Sequence, residues 1–380
     1  MRILHVVQSL DMGGQERLIL HLARALLARG HEVGVASLTL GGVLRPEFAG
    51  IPLLDVPRQP GFDALVIARM AKAIADFSPD AIHTHNPSPM FYAVPAARLL
   101  RVRSIVHTKH GANIYGRRSI YAARVVARLT TAFVAVSEGT ADAARLKERV
   151  PPALLRVVPN GIPLSNFGPN PQTRARIRHE LGIPGDAYVV GSVGRLAPEK
   201  DYPRMVRAMA DALGRKPAQP PAYLLLVGYG PSQEDIERAI ASLPEEKRAF
   251  CILTGARHDV ADLLTAFDVF SLTSRTEGLP LVIPEAMATA LPIVATAVGG
   301  IPSIVSGAVG IVAPYDDVDG LARAMAALRD DPERRRRMGE RAHAYAHQHF
   351  SLEKMTDRYE SLYRDARSAA TKEQALASIA

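Results

Sequence analysis

The chain has a single cysteine, Cys251, so no internal disulfide can form and a reduced compartment fits. No apolar run reaches the roughly 18–20 residues that a membrane-spanning helix needs. The N-terminus runs directly into RILHVV without a signal-peptide pattern. The expectation is therefore a cytoplasmic protein, soluble or peripheral on the inner face of the cell membrane. No strand is followed by G-x-G-x-x-G, which disfavours a dinucleotide-dependent oxidoreductase. No helix-turn-helix, zinc-knuckle or RNP pattern is present, and nucleic acid is not an expected partner. Histidines occur near strand ends, but no Asp, Glu or Cys joins them at metal-ligand spacing, so neither a metal nor another cofactor is expected.

What is present describes an ordinary globular chain. Its 380 residues suffice for two domains, with 48% apolar and 22% charged residues. The net charge of +8 is unevenly placed. Residues 1–165 hold 20 Lys/Arg against 11 Asp/Glu, and the remainder holds 26 against 27. An anionic surface, such as lipid headgroups, is a natural partner for the first half.

Strand and helix patterns alternate along the chain. Ile3–Val7 is an apolar run, followed by Gly13-Gly14, an amphipathic helix over Arg17–Arg29, and an alternating strand Glu32–Leu38. Strands over Ile51–Val56, Ala81–Thr84, Ser104–Thr108, Ala132–Val136 and Leu154–Val158 complete the first half, with helices over Phe62–Phe77 and Met90–Leu100. A Pro, Asn and Gly-rich stretch from Pro159 to Pro171 reads as a linker. The second half repeats the grammar: strands Ala187–Gly194, Ala222–Val227, Phe250–Thr254, Asp268–Leu272, Pro292–Ala295 and Gly310–Ala313. Helices fall over Asp201–Leu213, Asp259–Phe267, Val318–Arg329, Glu333–His349 and Leu352–Arg367, and the tail SAATKEQALASIA is expected to fray. Regular alternation predicts an α/β fold with parallel, doubly wound sheets.

Four stretches carry candidate chemistry. In open α/β sheets ligands meet the carboxyl ends of strands. There the first half places Glu16, then His83-Thr84-His85-Asn86, then His107-Thr108-Lys109-His110. Those histidines read as loop residues satisfying backbone, as metal ligands, or, for His110, as a substrate contact. In the second half, Gly194-Arg195-Leu196-Ala197-Pro198-Glu199-Lys200 sets a guanidinium fork and a point charge before a helix, a fit for a diphosphate. The stretch TSRTEGLPLVIPEAMATALP carries Glu277 and Glu285 either side of Gly278-Leu279-Pro280-Leu281. Pro280 presets a first helical turn, so the N–H groups of Leu281, Val282 and Ile283 would face an anion. Carboxylates on both sides could grip hydroxyls of a ribose and a sugar. Finally, GRRSIYAARVVARL places Arg117, Arg118, Arg124 and Arg128 opposite Ile120, Tyr121, Val125 and Leu129. This reads as an interfacial helix on anionic lipid, or as a surface helix packed on its own sheet. Asp317-Val318-Asp319 spells D-x-D, but at a helix start it reads as a cap.

The Gly-Gly-Gln-Glu after the first strand, Asn160-Gly161, GRLAPEK and the two glutamates of TEGLPLVIPEAMATALP together resemble the retaining family 4 glycosyltransferases of GT-B fold. The resemblance runs from about Met1 to Tyr363. It implies two Rossmann-like domains facing across a cleft: an acceptor-binding domain over 1–165, to which the helix from Leu352 returns, and a nucleotide-sugar domain over 166–351. It also implies Arg195 and Lys200 on the diphosphate, Glu285 on the ribose and Glu277 on the donor sugar. Gly13, Gly14 and the backbone of Leu279–Leu281 would lie against phosphates, His110 beside the sugar and Arg257 at the base. Glu16, His85 and Lys109 would lie on the acceptor side. Pro163 and Pro284 depart from the usual pattern, and Pro284 can shift the helix start. The implied reaction moves a hexose or N-acetylhexosamine, UDP-linked by preference, onto a glycan or lipid-linked glycan. The alternatives are an epimerase or phosphorylase on the same fold, or an inactive nucleotide-sugar binder.

Overall fold

A computed structural model describes residues 1–59, 61–111, 117–216 and 219–377. The chain divides into two compact units, Met1–Gly161 with Leu352–Ala380, and Ile162–Ser351.

The first unit is built on β1 (Arg2–Val7), β2 (Glu32–Ser37), β3 (Leu53–Asp55), β4 (Ala81–His85), β5 (Ser104–Lys109), β6 (Ala132–Ala135) and β7 (Leu155–Val157). They pair in parallel in the order β3-β2-β1-β4-β5-β6-β7. The central strands β4 and β5 are buried at every residue, as parallel strands covered on both faces must be. The helix Gly14–Ala28 buries Leu18, Ile19, Leu22, Ala23 and Leu26 on one stripe. The last helix, Leu352–Ala377, belongs to this unit and buries Met355, Tyr359 and Tyr363 at successive turns. Arg29 and His31, near the start of β2, hold its Glu360 at 2.9 and 3.0 Å.

The second unit comprises β8 (Tyr188–Val193), β9 (Gly214–Lys216), β10 (Gln219–Val227), β11 (Cys251–Leu253), β12 (Val269–Leu272), β13 (Ile293–Thr296) and β14 (Gly310–Ala313). The parallel order is β11-β10-β8-β12-β13-β14, with short β9 antiparallel to β10. Both sheets therefore reverse direction beside their first strand, between β1 and β4 in one and between β8 and β12 in the other. Such switch points are where open α/β sheets bind ligands.

Several local expectations need correction. The helix Pro171–Glu180 follows the linker directly, with Asn170 capping Thr173 N–H and Pro171 at the first position, a start signal that the polar composition masked. Glu138–Ala143 is a helix capped by Ser137 and continues as a π-turn over Ala144–Glu148. Gln233–Ala241 is a further helix, with Glu234 and Asp235 in its first turn. The tail does not fray at residue 368, because the last helix runs on to Ala377 through a stretch rich in Ala, Glu, Lys and Gln. Asp317 is a cap, as the pattern suggested: its Oδ1 accepts from Gly320 N–H at 2.7 Å.

Candidate functional site

In the second unit the loops after β8, β10, β12 and β13 are laced together by backbone. Leu196 N–H donates to Tyr229 O at 3.1 Å and Arg275 N–H to Glu199 O at 2.8 Å. Gly300 N–H donates to Gly278 O at 2.9 Å. Gly299, at φ +56°, lies so close to the loop that a Cβ there would stand 1.9 Å from Glu277 O. Asp201 occupies the left-handed region at φ 46° and accepts from Tyr315 Oη at 2.5 Å and Arg204 Nε at 3.2 Å. Burial opposes ionisation of Asp201, but those donors outweigh it and hold the carboxyl below its usual value. This frame carries Lys200 to Glu277.

Lys200 Nζ donates to Glu277 Oε1 at 2.6 Å, and Ser274 Oγ donates to the same oxygen at 2.6 Å. The two side chains are only 19% and 9% exposed. A cation and a carboxylate drawn from two different loops thus meet, largely desolvated, at the switch point between β8 and β12. Arg195 does not join them. It pairs with Glu199 at 2.6 Å on the surface, with 61% of its side chain exposed.

The helix tip also differs from expectation. The helix spans Val282–Ala288 with Leu281 as its cap, and Ile283 N–H already donates to Pro280 O at 3.2 Å. Ile283 is therefore not a bare donor, because Pro280 and Pro284 tighten this first turn. Leu279 is buried, and Glu285 is half-buried one turn inside the helix. Arg257 forks onto Asp259 at 2.8 and 2.6 Å and reaches Glu180 at 2.7 Å.

In the first unit Gly13 caps the helix Gly14–Ala28, and the Glu16 carboxylate folds back over it. Asn86, at the end of β4, stands at φ 65°, ψ 173°, a conformation largely reserved for glycine. Its side chain bonds Gln15, and its Oδ1 accepts from His110 N–H at 3.1 Å. Asn86 and Gln15 fall within the stretches His83–Asn86 and Gly13–Glu16 that the sequence marks, but neither has an individual role in that reading; the Asn-Pro step after His85 is the available signal for Asn86.

Beside Asn86 the histidines form one buried assembly. In the sheet register His5 stands opposite His83, and His85 opposite Thr108. His5 Nδ1 meets His85 Nε2 at 3.1 Å, and His85 Nδ1 meets His110 Nε2 at 3.0 Å. His83 is bonded at both nitrogens, to Tyr363 Oη and to Thr108 Oγ1, each at 2.7 Å. Ring nitrogens of His5, His83 and His85 lie within 4.8 Å of one another, close enough for a metal ion; both nitrogens of His83 and of His85 are engaged in these hydrogen bonds, whereas His5 Nε2 has no partner among the described residues. Burial lowers His5 and His110 to about 3, and burial with neighbouring histidines takes His85 well below its ordinary value. All three are neutral at physiological pH.

Two acceptor-side expectations meet this geometry differently. His85 is buried inside the assembly. Lys109 is a correction: its side chain is wholly inaccessible, paired at 2.5 Å with the equally buried Glu148, because strand alternation sends it to the face opposite its neighbour Thr108. The basic helix spans Arg117–Ala127, and the side chains of Arg117 and Arg118 lie outside the described residues. Its inward face is Ala123 and Ala127, so Tyr121 and Val125 stand 65% and 62% exposed rather than facing the sheet. The Arg124 guanidinium lies 5.1 Å over the Tyr121 ring and donates to Lys147 O at 3.0 Å, while Arg128 donates to Arg124 O at 2.6 Å. Among the described residues no helix is long and apolar enough to cross a membrane.

Residues 12–166 match the family described as Glycosyltransferase Family 4, and residues 173–345 match Glycosyl transferases group 1. A GDP-mannose-dependent alpha-(1-6)-phosphatidylinositol monomannoside mannosyltransferase of Mycolicibacterium smegmatis is 30% identical over 72% of this chain and 73% of that protein. The chain belongs to the family 4 glycosyltransferases. This family 4 chain is also 28% identical to an N-acetyl-alpha-D-glucosaminyl L-malate synthase of Bacillus anthracis, over 93% of this chain and 94% of the other. Against some other curated relatives it spans about half of their length, 54% and 47%. A crystal structure of Anabaena HepE in complex with UDP superposes with a TM-score of 0.85 over 96% of this chain and 100% of that one, at 22% identity. The fold is therefore GT-B, built from two Rossmann-like units.

Proposed function

We propose that the protein is a retaining glycosyltransferase that moves a hexose or N-acetylhexosamine from a nucleotide-sugar to a hydroxyl of a glycan or lipid-linked glycan, in assembly of a bacterial surface polysaccharide. The observation that carries this reading is the largely desolvated Lys200–Glu277 pair at the β8/β12 switch point. An ion pair there gives a diphosphate sugar two things to exchange for. Lys200 turns from the carboxylate to the diphosphate, and Glu277, still held by Ser274, is left to accept hydroxyls of the sugar. Arg195, on the surface loop beside Lys200, swings from Glu199 to add its fork. Glu285 takes the ribose, and Arg257 borders the base.

The acceptor oxygen attacks the anomeric carbon on the face from which the diphosphate departs. The C–O bond to phosphate breaks, the acceptor hydroxyl's proton passes to the departing phosphate oxygen on the same face, and nucleoside diphosphate leaves. Lys200, Arg195 and the backbone of the Leu279–Leu281 turn stabilise the growing negative charge, and no divalent metal is needed for that work. His110 lies beside the sugar. On the first unit, exposed Tyr121 and Val125 with Arg124 and Arg128 suit an anionic membrane surface that presents the acceptor.

Thermal-shift screening of the full chain against UDP-, GDP- and ADP-sugars tests the donor, with UDP-sugars expected to stabilise most. A ligand at 100 times its dissociation constant adds about 2.7 kcal/mol. With that donor and an acceptor pool, NMR of the product's anomeric proton tests retention. Turnover that survives Lys200→Ala unchanged, or a product of inverted anomeric configuration, overturns the mechanism.

A further inference from the structure

His110 is not an isolated ring. It is the outer end of a file in which His5, His85 and His110 are joined in series at 3.1 and 3.0 Å. Each ring, being neutral, carries one N–H and one lone pair. Two hydrogen bonds in series then permit only two arrangements, with all the N–H groups pointing outward from His5 or all pointing inward from His110. A mixed arrangement sets two N–H groups, or two lone pairs, against each other.

The inner end decides between them. His5 Nε2 is buried and has no hydrogen-bond partner among the described residues. In the inward arrangement this atom carries an orphaned N–H, which folded proteins rarely tolerate. In the outward arrangement it carries a lone pair, and the proton sits on His5 Nδ1, engaged with His85. The outward arrangement then runs His5 Nδ1–H to His85 Nε2 and His85 Nδ1–H to His110 Nε2, which leaves the His110 proton on Nδ1.

We infer that His5 and His85 are positioning residues that fix His110 in the Nδ1–H tautomer, so that its outer nitrogen meets the ligand as a hydrogen-bond donor. The surroundings hold the file in place without entering it. His83 packs against His85 with ring centroids 4.1 Å apart and planes tilted by 35°, and is itself clamped by Tyr363 and Thr108. Thr108 Oγ1 meets Tyr359 Oη at 3.0 Å, and the His110 backbone is tied to Asn86. The functional weight of the inference rests on the proposed place of His110 beside the donor sugar, whereas the tautomer itself does not.

The test uses the full chain with 15N-labelled histidine and long-range 15N–1H correlation, which separates Nδ1–H from Nε2–H rings. The His110 signal is identified by its loss in His110→Gln. The expected result is an Nδ1–H pattern for His110 in the wild type and a mixture of the two tautomers in His85→Leu. His85→Gln, whose amide accepts from His5 and donates to His110, should restore the Nδ1–H pattern. An Nε2–H pattern for His110 in the wild type overturns the inference, and so does an unchanged pattern in a folded His85→Leu. In transfer assays His85→Leu should lose about tenfold in kcat with the KM for donor nearly unchanged, and His85→Gln should recover most of it. If the spectra follow expectation while His110→Ala transfers normally, the role of His110 at the sugar fails and the tautomer assignment stands.

Discussion

At the residue scale, the useful question is what each charged or strained group gains from its place. Lys200 and Glu277 neutralise one another where either alone would be costly to bury. Glu277→Ala should therefore abolish transfer while nucleoside diphosphate still binds, since Lys200 is then released for the phosphates. Unchanged turnover, or loss of nucleotide binding in calorimetry, would contradict the proposed division of labour. Asn86 is strained at φ 65°, a cost on the order of 1–3 kcal/mol that glycine would relieve. Its bonds to Gln15 and to His110 N–H contribute about 1 kcal/mol each. Asn86→Gly should thus melt within a few degrees of the wild type yet transfer about tenfold more slowly. A large drop in Tm would mean that Asn86 serves stability rather than the site. Lys109 and Glu148 are the opposite case, a fully buried pair with no exposed atom to offer a ligand. Glu148→Ala removes the carboxylate of this buried pair and should lower stability in denaturant unfolding, by up to roughly 3–5 kcal/mol.

At the scale of elements, β1, β4 and β5 carry a buried load of histidine into the first unit. His5, His83, His85, His107 and His110 are all lowered by burial, so the folded unit leaves them neutral where the unfolded chain would protonate them. With folded values below the unfolded 6.5, their contribution is complete above that pH and is lost as pH falls beneath it. The first unit should therefore lose stability as pH falls from 6.5 to 5.5. Melts at pH 7.5, 6.5 and 5.5 read this directly, and a transition that stays put would show that these rings protonate in place. In the second unit the turn before Ile301 braces the Glu277 loop. Gly299→Ala would drive a Cβ into Glu277 O at a positive φ, so both stability and donor binding should fall. The last helix works the same way on the first unit, pressing Tyr359 and Tyr363 against Thr108 and His83.

At the scale of the whole molecule, the sequence determined by itself most of what composition, period and short motifs can carry. Two rounds of strand and helix alternation sufficed for two doubly wound parallel sheets, because fully buried apolar strands and one-sided helices have few other ways to pack. The candidate residues Lys200 and Glu277 stood out because they follow strand ends and flank a Gly-Leu-Pro turn, and the structure brings the two together. Element ends were less so: the helix Pro171–Glu180 hid in polar sequence, and Pro280 and Pro284 closed a turn that looked open. Tertiary structure alone decided which side chains are spoken for. Lys109 stands beside His110 in sequence, yet it turns inward to Glu148, a residue 39 positions away. His5 and His85, 80 positions apart, share a hydrogen bond only because β1 lies next to β4. Partners of that kind depend on sheet order and register, which are properties of the packed chain, and no local pattern of residues records them.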